Sequence, residues 1–372
     1  MENFSFLLLF FYFMNIFCQN SETVLNTAKL VNDYFMAKYP DPTQATNVGK
    51  IRPSNLWTRA VYYEGLMELN SIYPKQEYLE YSLKWADFHK WTPRNGVRTT
   101  DADDQCCGQT YINLLKYVEK EKQMSQISYL LENLDNQINS NRYNYWTWID
   151  AIQMAMPLYA QAYKLTGNSK YIDYAMKSYH WTRDECGGGL FNLKNGFWWR
   201  DADFVPPFKE KDGNDCYWSR GNGWVYVALA RVMEIIGKGD KYYKELEKDF
   251  ILMSKAIASV QRDDGFWNVS LVSPETYGGK ETTGTSLFLS GMSWGIRKGI
   301  LQENIYRPIV DKAWIGVFTY SVHPNGFLGY IQGTGKAPSE SQPVTYTRIP
   351  DFEDFGTGCF LLGALEYYKL IN

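Results

Sequence analysis

Residues 143–163 read Tyr143-Asn-Tyr-Trp146-Thr147-Trp-Ile149-Asp150-Ala-Ile-Gln-Met154-Ala-Met156-Pro157-Leu-Tyr159-Ala-Gln-Ala-Tyr163. Ile149, Ile152, Met156, Tyr159 and Tyr163 recur at three- and four-residue steps, the apolar face of a helix. Thr147 and Asp150 have the spacing of a capping box, which puts the helix start beside Asp150 and just after an aromatic run. Gly167-Asn168 then marks a turn, and a second helical pattern covers 169–181. The unit is a helical hairpin. Taken alone, Asp150 is a cap residue favoured by the positive end of the helix dipole. What else lies at that helix end decides whether it is more.

Working outward, the same unit repeats. Helical patterns cover 21–38, 56–69 with 76–91, 105–120 with 123–139, 149–165 with 169–181, 222–236 with 242–261, 285–301 with 302–322, and 358–370. That is five hairpins and one helix at each end, or six pairs if the terminal helices meet. Tyr78-Leu-Glu-Tyr-Ser-Leu-Lys84 echoes Tyr171-Ile-Asp-Tyr-Ala-Met-Lys177, both in second helices. Loops after second helices echo one another too: Asn195-Gly-Phe-Trp-Trp199, Asp264-Gly-Phe-Trp267, Asn325-Gly-Phe327 and, more weakly, Asn95-Gly-Val97. A lone hairpin cannot bury its apolar face, so repeated ones stack. An open solenoid is the competing outcome, but these loops are long, aromatic and uneven. The expected architecture is all-α: an (α/α)6 barrel, one catalytic domain over 19–372.

Net charge is −3 with no block of like charge, so nothing points to nucleic acid or an anionic membrane as partner. Aromatics make up 17% of the chain, with 13 Trp and 29 Tyr, and many sit in loops beside Gly and Asp, as stacking on sugar rings would require. Residues 4–17 are nearly all apolar, too short to span a bilayer, and are followed by polar residues. They are expected to be a signal peptide over 1–18, with export to the periplasm; a lipoprotein attached through Cys18 is the lesser alternative. Cys106, Cys107, Cys186, Cys216 and Cys359 lack the spacing of a disulfide framework or a zinc site and are expected to be buried thiols. No cofactor or metal is expected, and oligomeric state is not legible.

In a barrel of hairpins all first helices start at one end. The segments before them therefore converge: Arg52-Pro-Ser-Asn-Leu-Trp57, Asp101-Ala-Asp103-Asp104-Gln105, Tyr145-Trp146-Thr-Trp-Ile-Asp150, Tyr217-Trp218-Ser-Arg220-Gly-Asn-Gly-Trp224, Glu281-Thr-Thr-Gly-Thr285 and Asp354-Phe-Gly-Thr-Gly358. Helix N-termini at one mouth favour an anionic ligand. Asp150 and Asp103/Asp104 are the carboxyl candidates. Arg220, between Trp218 and two glycines, suits a bidentate grip on a carboxylate. The three histidines fall near the ends of second helices, at the far mouth, and read as structural.

These segments, with Met154-Ala-Met-Pro157, Asp103-Asp-Gln-Cys-Cys-Gly-Gln-Thr-Tyr111, Val322-His-Pro-Asn-Gly326 and Phe355-Gly-Thr-Gly-Cys-Phe360, resemble glycoside hydrolase family 105 over nearly the whole chain after the leader. These are the unsaturated rhamnogalacturonyl hydrolases, related to the unsaturated glucuronyl hydrolases. The resemblance implies an (α/α)6 barrel and a substrate ending in a 4,5-unsaturated uronic acid, the product of a polysaccharide lyase. It implies that an Asp protonates C4, water adds at C5, and the resulting hemiketal opens and releases the aglycone. Asp150 matches the acid/base, and Asp104, or Asp103 beside it, the assisting carboxylate. Arg220 would bind the uronate, and Trp57, Trp218 and Trp224, with Trp146 and Trp199, would contact sugar. Some members carry a histidine in the loop after the catalytic hairpin. Here residues 189–201 have none, and Trp199 or Arg200 takes its place.

Overall fold

The computed structural model describes residues 20–47, 51–348 and 354–372. The expected signal segment lies outside the described residues. Twelve long helices carry the fold: α1 Ser21–Lys38, α2 Trp57–Ile72, α3 Gln76–Phe88, α4 Cys107–Leu114, α5 Ser128–Asn139, α6 Asp150–Thr166, α7 Lys170–Asp184, α8 Ser219–Ile236, α9 Tyr243–Ser259, α10 Thr282–Arg297, α11 Glu303–Tyr320 and α12 Asp354–Ile371. The even-numbered helices pack in a closed ring, α2 on α4, then α6, α8, α10, α12 and back to α2. The odd-numbered helices lie outside it. This is the (α/α)6 barrel that the hairpin count predicts.

Burial follows position. Every residue of α10 from Thr282 to Ile296 and of α12 from Asp354 to Tyr367 is buried, because an inner helix is covered on all sides. Outer helices bury one stripe: α3 buries Tyr78, Tyr81, Ser82, Trp85 and Ala86 and leaves the rest to solvent. Inner helices meet through small residues. A Cβ on Gly65 of α2 would stand 2.8 Å from Leu361 Cβ of α12, and one on Gly358 would strike the Val61 carbonyl. One apolar cluster runs from Val24 to Tyr367.

The internal echoes are structural. Gly196, Gly265 and Gly326 have φ of 79°, 88° and 90°, the left-handed region that only glycine enters freely. In each loop the preceding Asn or Asp accepts from the N–H two residues on: Asn195 from Phe197 at 3.2 Å, Asp264 from Phe266 at 3.2 Å, and Asn325 from Phe327 at 3.1 Å. The turn drives the following aromatics inward, and Trp198, Phe266 and Trp267 are buried completely. Tyr81 and Tyr174, equivalent in the helical echo, each donate to a loop carbonyl, Tyr39 at 2.7 Å and Arg142 at 3.0 Å.

Two departures matter. The helix expected over 105–120 is broken into Ala102–Gln105, α4 and two 3-10 turns. Residues 116–122 are mostly charged, and only Val118 packs against the core, too little to hold a helical face. Helix α8 starts at Ser219, three residues before the expected boundary, so Arg220 and Asn222 fall inside its first turn.

Between the two mouths the ring is bridged. Glu64 of α2, fully buried, pairs with Arg231 of α8, which lies diametrically across the ring. Gln153 Nε2 of α6 donates to Glu64 at 3.0 Å, and Cys106 Sγ approaches it at 3.4 Å. Burial raises the Glu64 carboxyl above its ordinary range against the pull of Arg231. The five cysteines among the described residues are free and buried, as expected.

Candidate active site

A cavity of about 290 Å³ opens at the N-terminal mouth of the ring, lined by Arg52, Trp57, Asp103, Trp148, Asp150, Met154, Arg200, Trp218, Thr334 and Gly335. Five of the six converging segments border it or lie just behind its wall; Glu281 is the exception. Glu281 is buried and caps its own helix, accepting from the N–H groups of Thr283 at 3.0 Å and Gly284 at 2.6 Å.

Asp150 is the first residue of α6 and opens onto the cavity. The expected capping box does not form. The N-cap is Ile149, with helical backbone angles and no side-chain cap bond. Residues 148–149 instead pair with the strand-like segment behind them: Trp148 bridges Asp201, and the Ile149 N–H donates to the Arg200 carbonyl at 3.0 Å. That segment is fixed from its other side by Asn222, whose side chain accepts from the Trp198 N–H at 2.8 Å and donates to the Trp198 carbonyl at 3.0 Å. Arg200 is thereby held against Asp150, Nε to Oδ2 at 3.2 Å, while its Nη1 meets Asp201 Oδ2 at 2.6 Å.

Burial raises the Asp150 carboxyl above its ordinary range, with Arg200 and then Arg220 pulling it back down. Burial therefore outweighs the arginines and the backbone hydrogen bond. Asp103 is raised further, by burial, by Asp101 and by Asp150 itself. Two carboxyls in one cavity thus resist losing both protons, the condition under which a carboxyl can serve as an acid.

Asp104 does not line the cavity. It accepts from Arg94 Nη1 at 2.7 Å, Asn95 Nδ2 at 3.0 Å and Thr99 Oγ1 at 2.5 Å, and it is buried. Neighbouring residues on a helical turn face directions about 100° apart, and of this pair only Asp103 lines the cavity. Asp101 caps the turn, donation coming from the Asp103 N–H at 2.9 Å, and this sets Asp103 inward and Asp104 back into the 94–99 loop.

Arg220 is likewise not exposed to a ligand. It is buried, with Nη1 on the Gln332 carbonyl and Nη2 on the Gly333 carbonyl, both at 2.7 Å, and its guanidinium lies 4.5 Å from the Trp218 ring centroid. It pins the 332–335 loop to the mouth and supplies positive charge behind Asp150. Trp57 and Trp218 line the cavity. Trp218 donates Nε1 to Gln332 Oε1 at 2.8 Å. Trp224 does not reach the cavity and supports Trp57 edge-on, with centroids 6.2 Å apart. Trp146 is buried against Tyr159, and Trp199 packs on Tyr217 beside Phe204, Cys216 and Ala337. Trp148 takes the place on the wall expected of Trp146. Even spacing along an aromatic run did not reveal which ring faces in. Thr334 and Gly335 come from a segment without periodicity and carried no sequence signal. Among the described residues no group of His, Cys, Asp and Glu is placed to hold a metal ion, and no helix is long and apolar enough to cross a membrane.

A toroid of helical hairpins with paired carboxyls, arginine and tryptophans at one mouth is the architecture of a carbohydrate-cleaving enzyme. The profile of Glycosyl Hydrolase Family 88 matches residues 27–371, and the chain belongs to that family: it is a glycoside hydrolase. It is 30% identical over 335 residues to the unsaturated 3S-rhamnoglycuronyl hydrolase of Formosa agariphila, covering 84% of each chain. Among solved structures it resembles a family 88 glycosyl hydrolase from Bacteroides vulgatus, with TM-score 0.84, 32% identity, and 94% and 99% of the two chains covered. It also resembles a protein titled a polysaccharide lyase, with TM-score 0.83, 28% identity, and 94% and 97% covered. Chains titled as family 105 share the fold at lower identity.

Proposed function

We propose that this chain removes a 4,5-unsaturated uronic acid from the non-reducing end of lyase-generated oligosaccharides. The observation that carries the reading is the cavity in which Asp150 and Asp103, both raised by burial, face one space beside Arg200. In this reading the protonated carboxyl of Asp150 delivers its proton to C4 of the enol ether. Asp150, ionised once it has given up that proton, takes one from the water that adds at C5, while Asp103, the more strongly raised of the two, keeps its proton and assists. The hemiketal so formed opens and frees the aglycone. Trp57, Trp148 and Trp218 form walls on which sugar rings can stack.

The aglycone we propose is rhamnose, in fragments of ulvan or rhamnogalacturonan type; the name of the Formosa relative supports a rhamnoglycuronyl substrate. We further propose that the chain is exported, residues 1–18 acting as the signal, and that the remainder is one catalytic domain. The test is the ultraviolet absorbance of the conjugated double bond. It should disappear when the enzyme meets lyase products of ulvan or rhamnogalacturonan, and remain when Asp150→Asn replaces it. Sugar release from saturated oligosaccharides would favour a conventional two-carboxylate glycosidase instead. The lyase title of one neighbour gives a second contrast: a rise in that absorbance on intact polysaccharide would mean elimination, not hydrolysis.

A further inference from the structure

We propose that Arg200 is the residue that reads the substrate's carboxylate: it grips Asp150 with Nε and Asp201 with Nη1, and offers Nη2 to the cavity that Arg200 and Asp150 border. The inference rests on the uronide reading of the site. Its geometric basis is the division of one guanidinium among three directions. Nε lies 3.2 Å from Asp150 Oδ2 and Nη1 lies 2.6 Å from Asp201 Oδ2. Nη2 makes no hydrogen bond among the described residues and is not among their buried unpartnered atoms, so it faces open space. Arg200 is one-fifth exposed and lines the cavity. The planar guanidinium, held rigid by two carboxylates and by backbone pairing on both sides, is preorganised for a further anion.

Arg200 and Asp201 come from the loop after α7, Arg220 from the first turn of α8, Asp103 from the turn before α4, and Arg52 from the hairpin before α2. Arg220 spends two nitrogens on backbone carbonyls and is sealed from the cavity, so it acts on Asp150 only through space. Arg52 lines the cavity and donates to Thr334 Oγ1 at 3.1 Å; it is the rival reader of the carboxylate. Burial alone would lower Arg200, but Asp150, Asp201 and Asp103 hold it firmly charged.

The arrangement links binding to chemistry. In the free enzyme Asp150 divides the charge of Arg200 with Asp201. A bound uronate shares that charge, so Asp150 keeps its proton to higher pH when substrate is present. The group that recognises the acid sugar thereby readies the acid that attacks it.

The experiment is a double-mutant cycle. Wild type, Arg200→Gln and Arg52→Gln are each assayed on an unsaturated uronide and on its methyl ester. Esterification alters the intrinsic reactivity of the double bond equally for all three enzymes, so that change cancels in the cycle. Wild type is expected to lose roughly a hundredfold more kcat/KM on esterification than Arg200→Gln does. The pH profiles give a second readout. In wild type the basic limb of kcat lies above that of kcat/KM, since the first reports the complex and the second the free enzyme. In Arg200→Gln the two limbs coincide, and Arg200→Lys restores part of the gap. An equal ester penalty in wild type and Arg200→Gln, or a penalty that disappears in Arg52→Gln instead, overturns the proposal. Wild-type turnover of the uronide stands as support for the active-site reading whichever way the cycle falls, whereas failure on every unsaturated uronide sinks both.

Discussion

The barrel has two mouths, and each holds a cavity of about 290 Å³. At the far mouth the charges are matched. Arg297 meets Glu366 through Nη2 at 2.5 Å and Nε at 2.9 Å, Lys369 joins Glu366 at 3.2 Å and pairs with Glu68, and Lys298 meets Glu234 at 2.8 Å. At the near mouth Asp103, Asp150 and Asp201 crowd around Arg200, and burial lifts Asp103 and Asp150 above the ordinary carboxylate range. Equal volume therefore says nothing about where chemistry happens. Unbalanced carboxyls, held out of water and short of partners, do.

The sharpest way to break the contrast is at Asp150. Asp150→Asn should cut turnover by about a thousandfold with the fold intact, measured by loss of double-bond absorbance and by an unchanged melting curve. Next comes Asp103→Asn, expected to cost about a hundredfold in kcat. It should also stabilise the protein at neutral pH by about 1 kcal/mol. The sign follows from the raised carboxyl. The folded chain keeps this proton where the unfolded chain has lost it, so folding weakens as pH rises through the range between the two. The gain from Asn should vanish in acid, below the ordinary carboxylate range, as thermal melts across pH will show.

Asp104→Asn should do the reverse of its neighbour. Losing charge-assisted bonds to Arg94 and Thr99 should lower stability by about 2 kcal/mol, and turnover should suffer only through misplacement of the 94–99 loop. Trp57→Ala, removing a stacking wall, should raise KM by about tenfold and spare kcat more. The smallest effect is expected at the far mouth. Arg297→Met should cost about 1 kcal/mol of stability and leave kcat/KM within about twofold. A larger change in activity there would mean that the second cavity takes part after all.

The outer helices were legible because each buries a periodic face, and the ring followed from the number of hairpins and from loops too uneven for a solenoid. The mouth was legible for the same reason: chain direction alone decides which ends converge. Which side chain points in was a different matter. Asp103 and Asp104 differ by one position, and the choice is made by Asp101 capping the turn, a backbone event that periodicity does not record. Arg220 carries the right neighbours, yet its donors are taken by carbonyls at 332 and 333, brought in by a segment with no pattern. Arg200 stood out in sequence only by lying in the loop where some family members carry a histidine. Its importance becomes visible once Asn222 is seen to clamp Trp198 and set the strand that carries it.

The Glu64–Arg231 pair spanning the ring has a consequence for how a polymer can be handled. A pipe open at both ends could thread a chain and cut it anywhere along its length. With that pair across the axis, backed by Gln153 and Cys106, the barrel is a cup. Only a chain end fits, it must enter tip first, and the released monosaccharide must leave by the rim it came in through. On a long fragment each turnover then requires the shortened chain to back away before the product can escape. The shortened chain no longer ends in an unsaturated uronate, so each fragment gives up one sugar in one visit.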